Sequence, residues 1–129
     1  MLFSVLRSFA VGGAVLLALP PSVSAAEAAG DAKAGQAVFN RCAACHSTEP
    51  GVNKIGPSLA GIVGSKSGAV PGFHFSNGMK NADITWDDAS LDKFLQNPNN
   101  VVHGTSMFFS LPNATDRQNV IAYLQTLKR

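Results

Sequence analysis

The chain has 129 residues, ten lysines and arginines against eight aspartates and glutamates, and a formal net charge of +2. This length suggests no more than one domain once a targeting segment is set aside. The basic residues are scattered along the sequence, which argues against a nucleic-acid-binding protein, because such proteins cluster lysine and arginine.

The first 25 residues have the layout of a secretory signal peptide. Arg7 gives a short positive start, an uncharged apolar run follows from Phe9 to Leu19, and the small residues Val23-Ser24-Ala25 precede a cleavage point. The apolar run is too short for a retained membrane anchor. We therefore predict cleavage after Ala25, export to the periplasm, and no stable membrane insertion of residues 26–129.

Three segments of the remaining chain are predicted to be helical. Good helix formers indicate a helix over 31–42, in which Gly35 is either a mild penalty to the helix or a point of close approach for a second helix. Acidic residues followed by an apolar stripe indicate a second helix, which we predict to be capped by Thr85 and to end at Asn97-Pro98. Apolar residues with i, i+3, i+4, i+7 spacing indicate a third helix over 113–127.

The segments that join these helices are long and rich in glycine and proline, notably 48–61, 64–72 and 103–112. No pair of strands with a hairpin turn is recognisable, so the predicted fold class is all-α. Loops this long in a small domain usually need something to wrap around.

The residues Cys42-Ala43-Ala44-Cys45-His46 have the C-x-x-C-H pattern of covalent haem attachment. Two cysteines at this spacing lie on one side of a helical turn, where each can form a thioether with a haem vinyl group while the histidine reaches the iron. A disulfide here would close too small a loop to stabilise the chain much. A zinc site would need more ligands, and a thioredoxin-like dithiol would need strands. We therefore predict one covalent haem c.

A six-coordinate haem needs a second axial ligand besides His46. The candidates are Met79, Met107, His74 and His103. Met107 lies in a loop between two helices, far enough along the chain to reach the opposite face of the haem. Met79 has the alternative interpretation of a gap-filling core residue, and His103 could replace Met107 if the loop loosened.

At this point the sequence resembles the class I c-type cytochromes, in the branch of mitochondrial cytochrome c and bacterial soluble cytochromes. Six further segments match the family pattern in order and spacing: Lys54-Ile55-Gly56-Pro57-Ser58-Leu59, Pro71-Gly72-Phe73, Ile84-Thr85-Trp86, Asn97-Pro98, Gly104-Thr105-Ser106-Met107 and Ile121-Ala122-Tyr123-Leu124. The resemblance implies a small cytochrome c fold over 26–129. Its N- and C-terminal helices would pack together through Gly35, Phe39, Val120 and Tyr123, and its loops would wrap the haem.

The resemblance also implies the residues that bind the cofactor. They are Cys42 and Cys45 for the thioethers, His46 and Met107 as axial ligands, the Pro57 carbonyl as acceptor of the other His46 ring N–H, Trp86 and Thr105 as propionate partners, and Phe109 beside the exposed haem edge. Other positions depart from the family pattern: Phe75 and Phe94 in place of tyrosines, Met79 in place of Asn, Ser65 in place of Arg, and His103 in place of Pro. These departures should change how the propionate charge is stabilised.

The implied function is that of a monomeric single-electron carrier with low-spin haem, and not of an enzyme. Redox proteins would dock transiently at the exposed edge near Cys45, Phe108 and Phe109. The alternatives are a haem peroxidase, which needs an open iron site, and a haem-based sensor, which needs a labile sixth ligand. Since segments 47–57 and 99–112 lack cores of their own, we also predict that the chain without haem is largely unfolded.

Overall fold

The computed structural model describes residues 29–129, so the predicted signal peptide lies outside the described residues. Five helices follow one another along the chain: α1 (Ala32–Phe39), α2 (Asn77–Asn81), α3 (Asp88–Gln96), α4 (Pro98–Val101) and α5 (Ala114–Thr126). Over 29–129 the sheet-like pairing is limited to one antiparallel bridge between Lys66 and Thr85. This architecture agrees with the predicted all-α class.

Helix α1 begins one residue after the predicted start and ends three residues early. The Asp31 carboxylate caps it by accepting hydrogen bonds from the backbone N–H groups of Lys33 and Ala34, at 2.8 and 3.2 Å. After Phe39 the chain tightens into i→i+3 bonds, with the Cys42 N–H donating to the Phe39 carbonyl at 2.7 Å. The chain thus leaves α1 as a tight turn that leads directly into the two cysteines.

The close approach that Gly35 was expected to allow is present between α1 and α5. A Cβ on Gly35 would collide with the backbone carbonyl of Asn119 and with Tyr123. The Phe39 and Tyr123 rings pack at a centroid separation of 5.3 Å, and the Asp31 N–H donates to the Asn119 side chain at 2.8 Å. The N- and C-terminal helices therefore pack together as predicted.

The variant Gly35→Ala should be destabilised by about 2–3 kcal/mol, because its methyl group must displace the backbone of α5. Thermal unfolding of the haem-loaded protein, followed by far-UV circular dichroism, measures the change. Gln36→Ala, at the exposed neighbouring position of the same helix, is the control and should change the stability by less than about 0.5 kcal/mol. Equal melting temperatures for both variants would show that the helices do not meet at Gly35.

The cap of α3 is Asp87, and the prediction that Thr85 caps this helix is wrong. The Asp87 carboxylate accepts from the Ser90 N–H at 2.8 Å, and the Ser90 hydroxyl accepts from the Asp87 N–H at 2.9 Å. The hydrogen bond from the Ser90 backbone N–H lowers the pKa of Asp87. Thr85 lies two residues before the cap position, because the helix begins at Asp88, and it pairs instead with Lys66 in an antiparallel bridge.

Helices α2 and α4 were not predicted from the sequence. Helix α2 is a short helix that the Ser76 hydroxyl caps by accepting from the Met79 N–H at 3.2 Å. Helix α4 begins at Pro98, which was predicted only to end the preceding helix. Proline suits the first position of a helix because its missing N–H would have no partner there.

The core lies between α1, α3 and α5, and the loop segments are anchored to it. Its most deeply buried side chains are Val102, Leu111 and Val120, and the first two of these flank the segment that carries Met107. Within the part of the chain that the structure describes, no helix is long and apolar enough to cross a bilayer.

Candidate haem-binding site

A cavity of about 500 Å³ opens beside this core, and all the predicted site residues line it. They are Cys42, Cys45, His46, Pro57, Trp86, Thr105, Met107 and Phe109. Most of the other lining side chains are apolar, with contributions from α1, α2, α3, α5 and the loops between them. The long loops thus surround a single chamber.

The tight turn after α1 presents the cysteines and the histidine to this cavity together. The backbone N–H groups of Cys45 and His46 both donate to the Cys42 carbonyl, at 3.0 and 2.9 Å. Neither cysteine forms a disulfide, and both are partly buried. Burial raises the pKa of Cys42. Cys42, Cys45 and His46 therefore form part of one wall of the chamber, as the C-x-x-C-H spacing predicts.

The His46 ring is held in one orientation by the two residues that follow Ile55. Its Nδ1 lies 2.7 Å from the Pro57 carbonyl oxygen. Because a carbonyl can only accept, Nδ1 carries the proton and Nε2 keeps its lone pair. Burial lowers the pKa of His46, which favours the neutral ring. A Cβ on Gly56 would collide with the imidazole, so glycine is required at this position.

Met107 reaches the same cavity from the segment between α4 and α5. Its backbone N–H donates to the Thr105 hydroxyl oxygen at 3.2 Å. Thr105 is buried, and because its oxygen accepts this bond, its own hydroxyl proton remains available to another acceptor. The thioether of Met107 and the imidazole of His46 are thus both side chains of one chamber.

The wall around Trp86 contains several of the departures from the family pattern. Trp86 is buried and packs on Phe94 with ring centroids 5.0 Å apart, and Phe75 packs edge-on against Phe73 at 4.8 Å. Phe75 and Phe94 line the cavity, as does Met79. Ser65 is buried, and its hydroxyl donates to the Ile62 carbonyl at 2.6 Å. The part of the chamber that Phe75, Phe94 and Met79 line is consequently more apolar than two tyrosines and an asparagine would make it.

The remaining ligand candidates differ in their positions. Met79 and His74 line the cavity, whereas His103 does not. Both histidines are exposed. The backbone of His103 is in close contact with Gly78 of α2. Of the four candidates for the second axial position, Met79, Met107 and His74 therefore have access to the chamber in this conformation.

Other residues of the cavity were not assigned a role from the sequence. Gly56 acts through the space that it leaves for His46, while Lys66, Ser76 and Ile55 contribute to the lining. Glycine before proline indicates a loop, and only the folded structure shows that the histidine ring packs on it. The exposure of Ile55 likewise has no local sequence signal.

The residues present fit a haem group. The chamber is large and mainly apolar, and one wall holds the two thiols and the imidazole that covalent attachment needs. A zinc site fits less well, since residues 29–129 contain no group of three or more His, Cys, Asp or Glu side chains that could hold a metal ion.

Comparison with known proteins gives the same result. The family model described as Cytochrome c matches residues 32–128. Cytochrome c of Euglena viridis is 50% identical over 101 residues, which cover 77% of this chain and 99% of that protein. Cytochrome c2 of Rhodomicrobium vannielii is 49% identical over 105 residues, covering 80% and 84%.

Solved structures are similar over the same region. Cytochrome cH from Methylobacterium extorquens superposes with a TM-score of 0.71 at 40% sequence identity, covering 75% of this chain and 99% of that one. Cytochrome c2 from Rhodospirillum centenum superposes with a TM-score of 0.74 at 30% identity, covering 78% and 100%. The predicted family and fold are confirmed, and the chain belongs to the cytochrome c family as an electron carrier with one haem c attached through Cys42 and Cys45.

Proposed function

We propose that His46 and Met107 are the axial ligands of a low-spin haem that passes single electrons between redox proteins. The observation that carries this proposal is that one cavity brings together the attachment cysteines, the His46 imidazole and the Met107 thioether. When bound, the haem supplies a one-electron iron couple, so the protein needs no acid, base or nucleophile.

The neighbouring side chains would hold these ligands and the haem carboxylates. The Pro57 carbonyl accepts the hydrogen bond from Nδ1 of His46, so the Nε2 lone pair stays free to bind the iron. The indole N–H of Trp86 and the hydroxyl of Thr105 are the proposed donors to the propionates. Because both residues are nearly inaccessible to solvent, water would compete little for these bonds.

An apolar chamber would favour electron transfer, because little water has to reorganise around the haem when its charge changes. Phe75, Phe94 and Met79 exclude water from the space around the cofactor. A haem in such a chamber with a methionine ligand has a raised reduction potential. The fixed side chains also keep the ligand geometry similar in both oxidation states.

An optical spectrum of the ferric, haem-loaded protein tests the proposed ligation. A low-spin spectrum with the weak near-infrared band of sulfur-to-iron charge transfer is the expected result. Low-spin iron without this band would point to a nitrogen ligand, for which His74 is the candidate in the cavity. High-spin iron would contradict the proposal and would favour the sensor or peroxidase alternative.

We propose further that the protein does no catalysis of its own and works as a monomer. The relatives are cytochromes c and c2, which favours electron transfer over the enzymatic and sensing alternatives. A thioether that lies in the chamber would also close the iron site that a peroxidase needs open.

Partners are proposed to dock where the cavity reaches the surface. Ile55 and Phe108 are 80% and 85% exposed, Phe109 is 41% exposed, and all three line the cavity. Basic residues that also line it are paired: Arg41 with Asp116 at 3.2 Å, and Lys66 with Asp83 at 3.1 Å. The docking surface, Ile55 with Phe108 and Phe109, is therefore apolar, and the arginine and lysine that line the cavity beside it are both paired with carboxylates.

Electron self-exchange between oxidised and reduced copies should accordingly depend weakly on salt. We expect its rate, measured by NMR line broadening, to change by less than about threefold between low and high ionic strength, whereas steered associations change by about tenfold or more. Phe108→Lys should slow the exchange and make it salt-dependent, because two like charges then meet. Val52→Lys, exposed but outside the cavity lining, is the control. Equal rates for both variants would place the docking surface elsewhere.

The proposed location is the periplasm, after removal of residues 1–25. Support comes from the layout of the signal segment and from the haem-attachment cysteines, which suit an exported protein. The family match begins at residue 32, beyond the proposed cleavage site. The mass of the protein recovered from the periplasm of a producing bacterium tests the cleavage after Ala25.

A further inference from the structure

Arg117 of α5 is a buried cation whose side-chain hydrogen bonds all go to residues outside its own helix. Its side chain is only 7% exposed, and its Nε donates to the Asp92 carboxylate of α3 at 2.7 Å. Arginine is rarely buried to this extent unless it is paired. The Asp92 side chain is 39% exposed, and an ion pair with a solvent-exposed member contributes little to stability, so the burial of the guanidinium calls for an explanation besides this pair.

The Arg117 guanidinium is also hydrogen-bonded to the segment that carries Met107. We define the Met107 segment as residues 102–112. One terminal nitrogen of Arg117 donates to the carbonyls of Leu111 and Pro112, at 2.9 and 2.7 Å. The guanidinium therefore connects α5, α3 and the carboxyl end of this segment.

The Met107 segment has few other attachments to the core. Val102 and Leu111 are each 2% exposed and fix its two ends, and the Leu111 N–H donates to the Leu95 carbonyl at 2.7 Å. Between these ends Thr105 is the buried residue and Met107 is partly buried, while the other side chains are exposed. The position of the thioether consequently depends on how firmly the ends are held.

We propose that Arg117, oriented by Asp92, is a positioning residue that keeps the Met107 thioether on the iron by fixing the carboxyl end of the Met107 segment. This inference rests on the proposed ligation by Met107. Loss of the guanidinium contacts would let the segment open locally while α1, α3 and α5 stay packed. An added ligand such as imidazole would then gain access to the iron more often.

The experiment uses the haem-loaded ferric protein and imidazole as the probe. Arg117→Lys keeps the charge but cannot reproduce three hydrogen bonds in a fixed plane. We expect its apparent affinity for imidazole to rise about tenfold, and that of Asp92→Asn to rise about threefold, since hydrogen bonds of a charged group are lost or weakened. Asp116→Asn removes the carboxylate of the other arginine pair on α5 and should stay within about twofold of the wild type.

The outcomes separate this inference from the proposed ligation. If the wild type shows the sulfur-to-iron band and Arg117→Lys lowers the melting temperature without raising the imidazole affinity, Arg117 is merely structural and the inference is overturned. If Arg117→Lys does not fold, Asp92→Asn gives the same comparison against Asp116→Asn. If the wild type lacks the band, the proposed Met107 ligation fails first, and the inference fails with it.

Discussion

The double variant Cys42→Ala/Cys45→Ala, produced without haem, should be largely unfolded at room temperature. Its cavity of about 500 Å³ would have no occupant. Segments 47–57 and 99–112 would then have nothing to pack around, and so small a domain has little other core to hold it. The loss should therefore be comparable to the whole stability of a typical domain, about 5–15 kcal/mol. Far-UV circular dichroism and a thermal scan measure the expected loss of helix and of a cooperative transition.

The haem-loaded variant Ala44→Ser is the matched control for this experiment. Its substitution lies inside the attachment motif at an exposed position and leaves both cysteines in place. It should therefore melt like the wild type. A cooperative thermal transition in the haem-free double variant would show that the helices suffice to hold the fold, and the loops would then need another explanation for their order.

The parts of the fold that could be predicted from sequence depend on local chemistry. Helices α1 and α5 begin one residue after the predicted starts, and there Asp31 and Asn113 cap them through side-chain oxygens that accept from nearby N–H groups. The C-x-x-C-H spacing predicts a turn with three reactive groups on one wall because backbone geometry alone decides it. Gly35 was expected to permit helix contact, since a residue without Cβ has few other reasons to lie within a helix.

The parts that could not be predicted depend on long-range contacts. Helix α2 has no apolar periodicity and contains Gly78, which packs against the backbone of His103. Thr85 has a good capping side chain, but it pairs with Lys66 and the helix begins at Asp88, so Asp87 occupies the cap position. Nothing near Arg117 in the sequence indicates that its partners lie on α3 and on the Met107 segment.

The candidate site was more predictable than the surface around it. Its residue types are set by the cofactor: thiols to attach, an imidazole and a thioether to bind iron, and apolar side chains to exclude water. The exposure of Ile55 and the pairing of Arg41 and Lys66 depend on the path of the folded chain. The sequence therefore indicates the chemistry, whereas the structure is needed to describe how partners meet it.

The variant Met107→Ala should lose the near-infrared sulfur-to-iron band and bind imidazole about 100-fold more tightly than the wild type, because the probe no longer competes with a protein ligand. Its reduction potential should fall, since methionine raises the potential of the haem iron. Ferric spectra, imidazole titrations and a redox titration measure these three quantities.

Met79→Ala is the matched control, because Met79 is the other methionine among residues 29–129 and lines the same cavity. It should keep the band and gain little affinity for imidazole. The reverse pattern, with the band lost in Met79→Ala and kept in Met107→Ala, would assign the sixth position to α2. The Met107 segment and Arg117 would then have no part in holding the ligand, so these two variants decide between the two thioethers that the cavity offers.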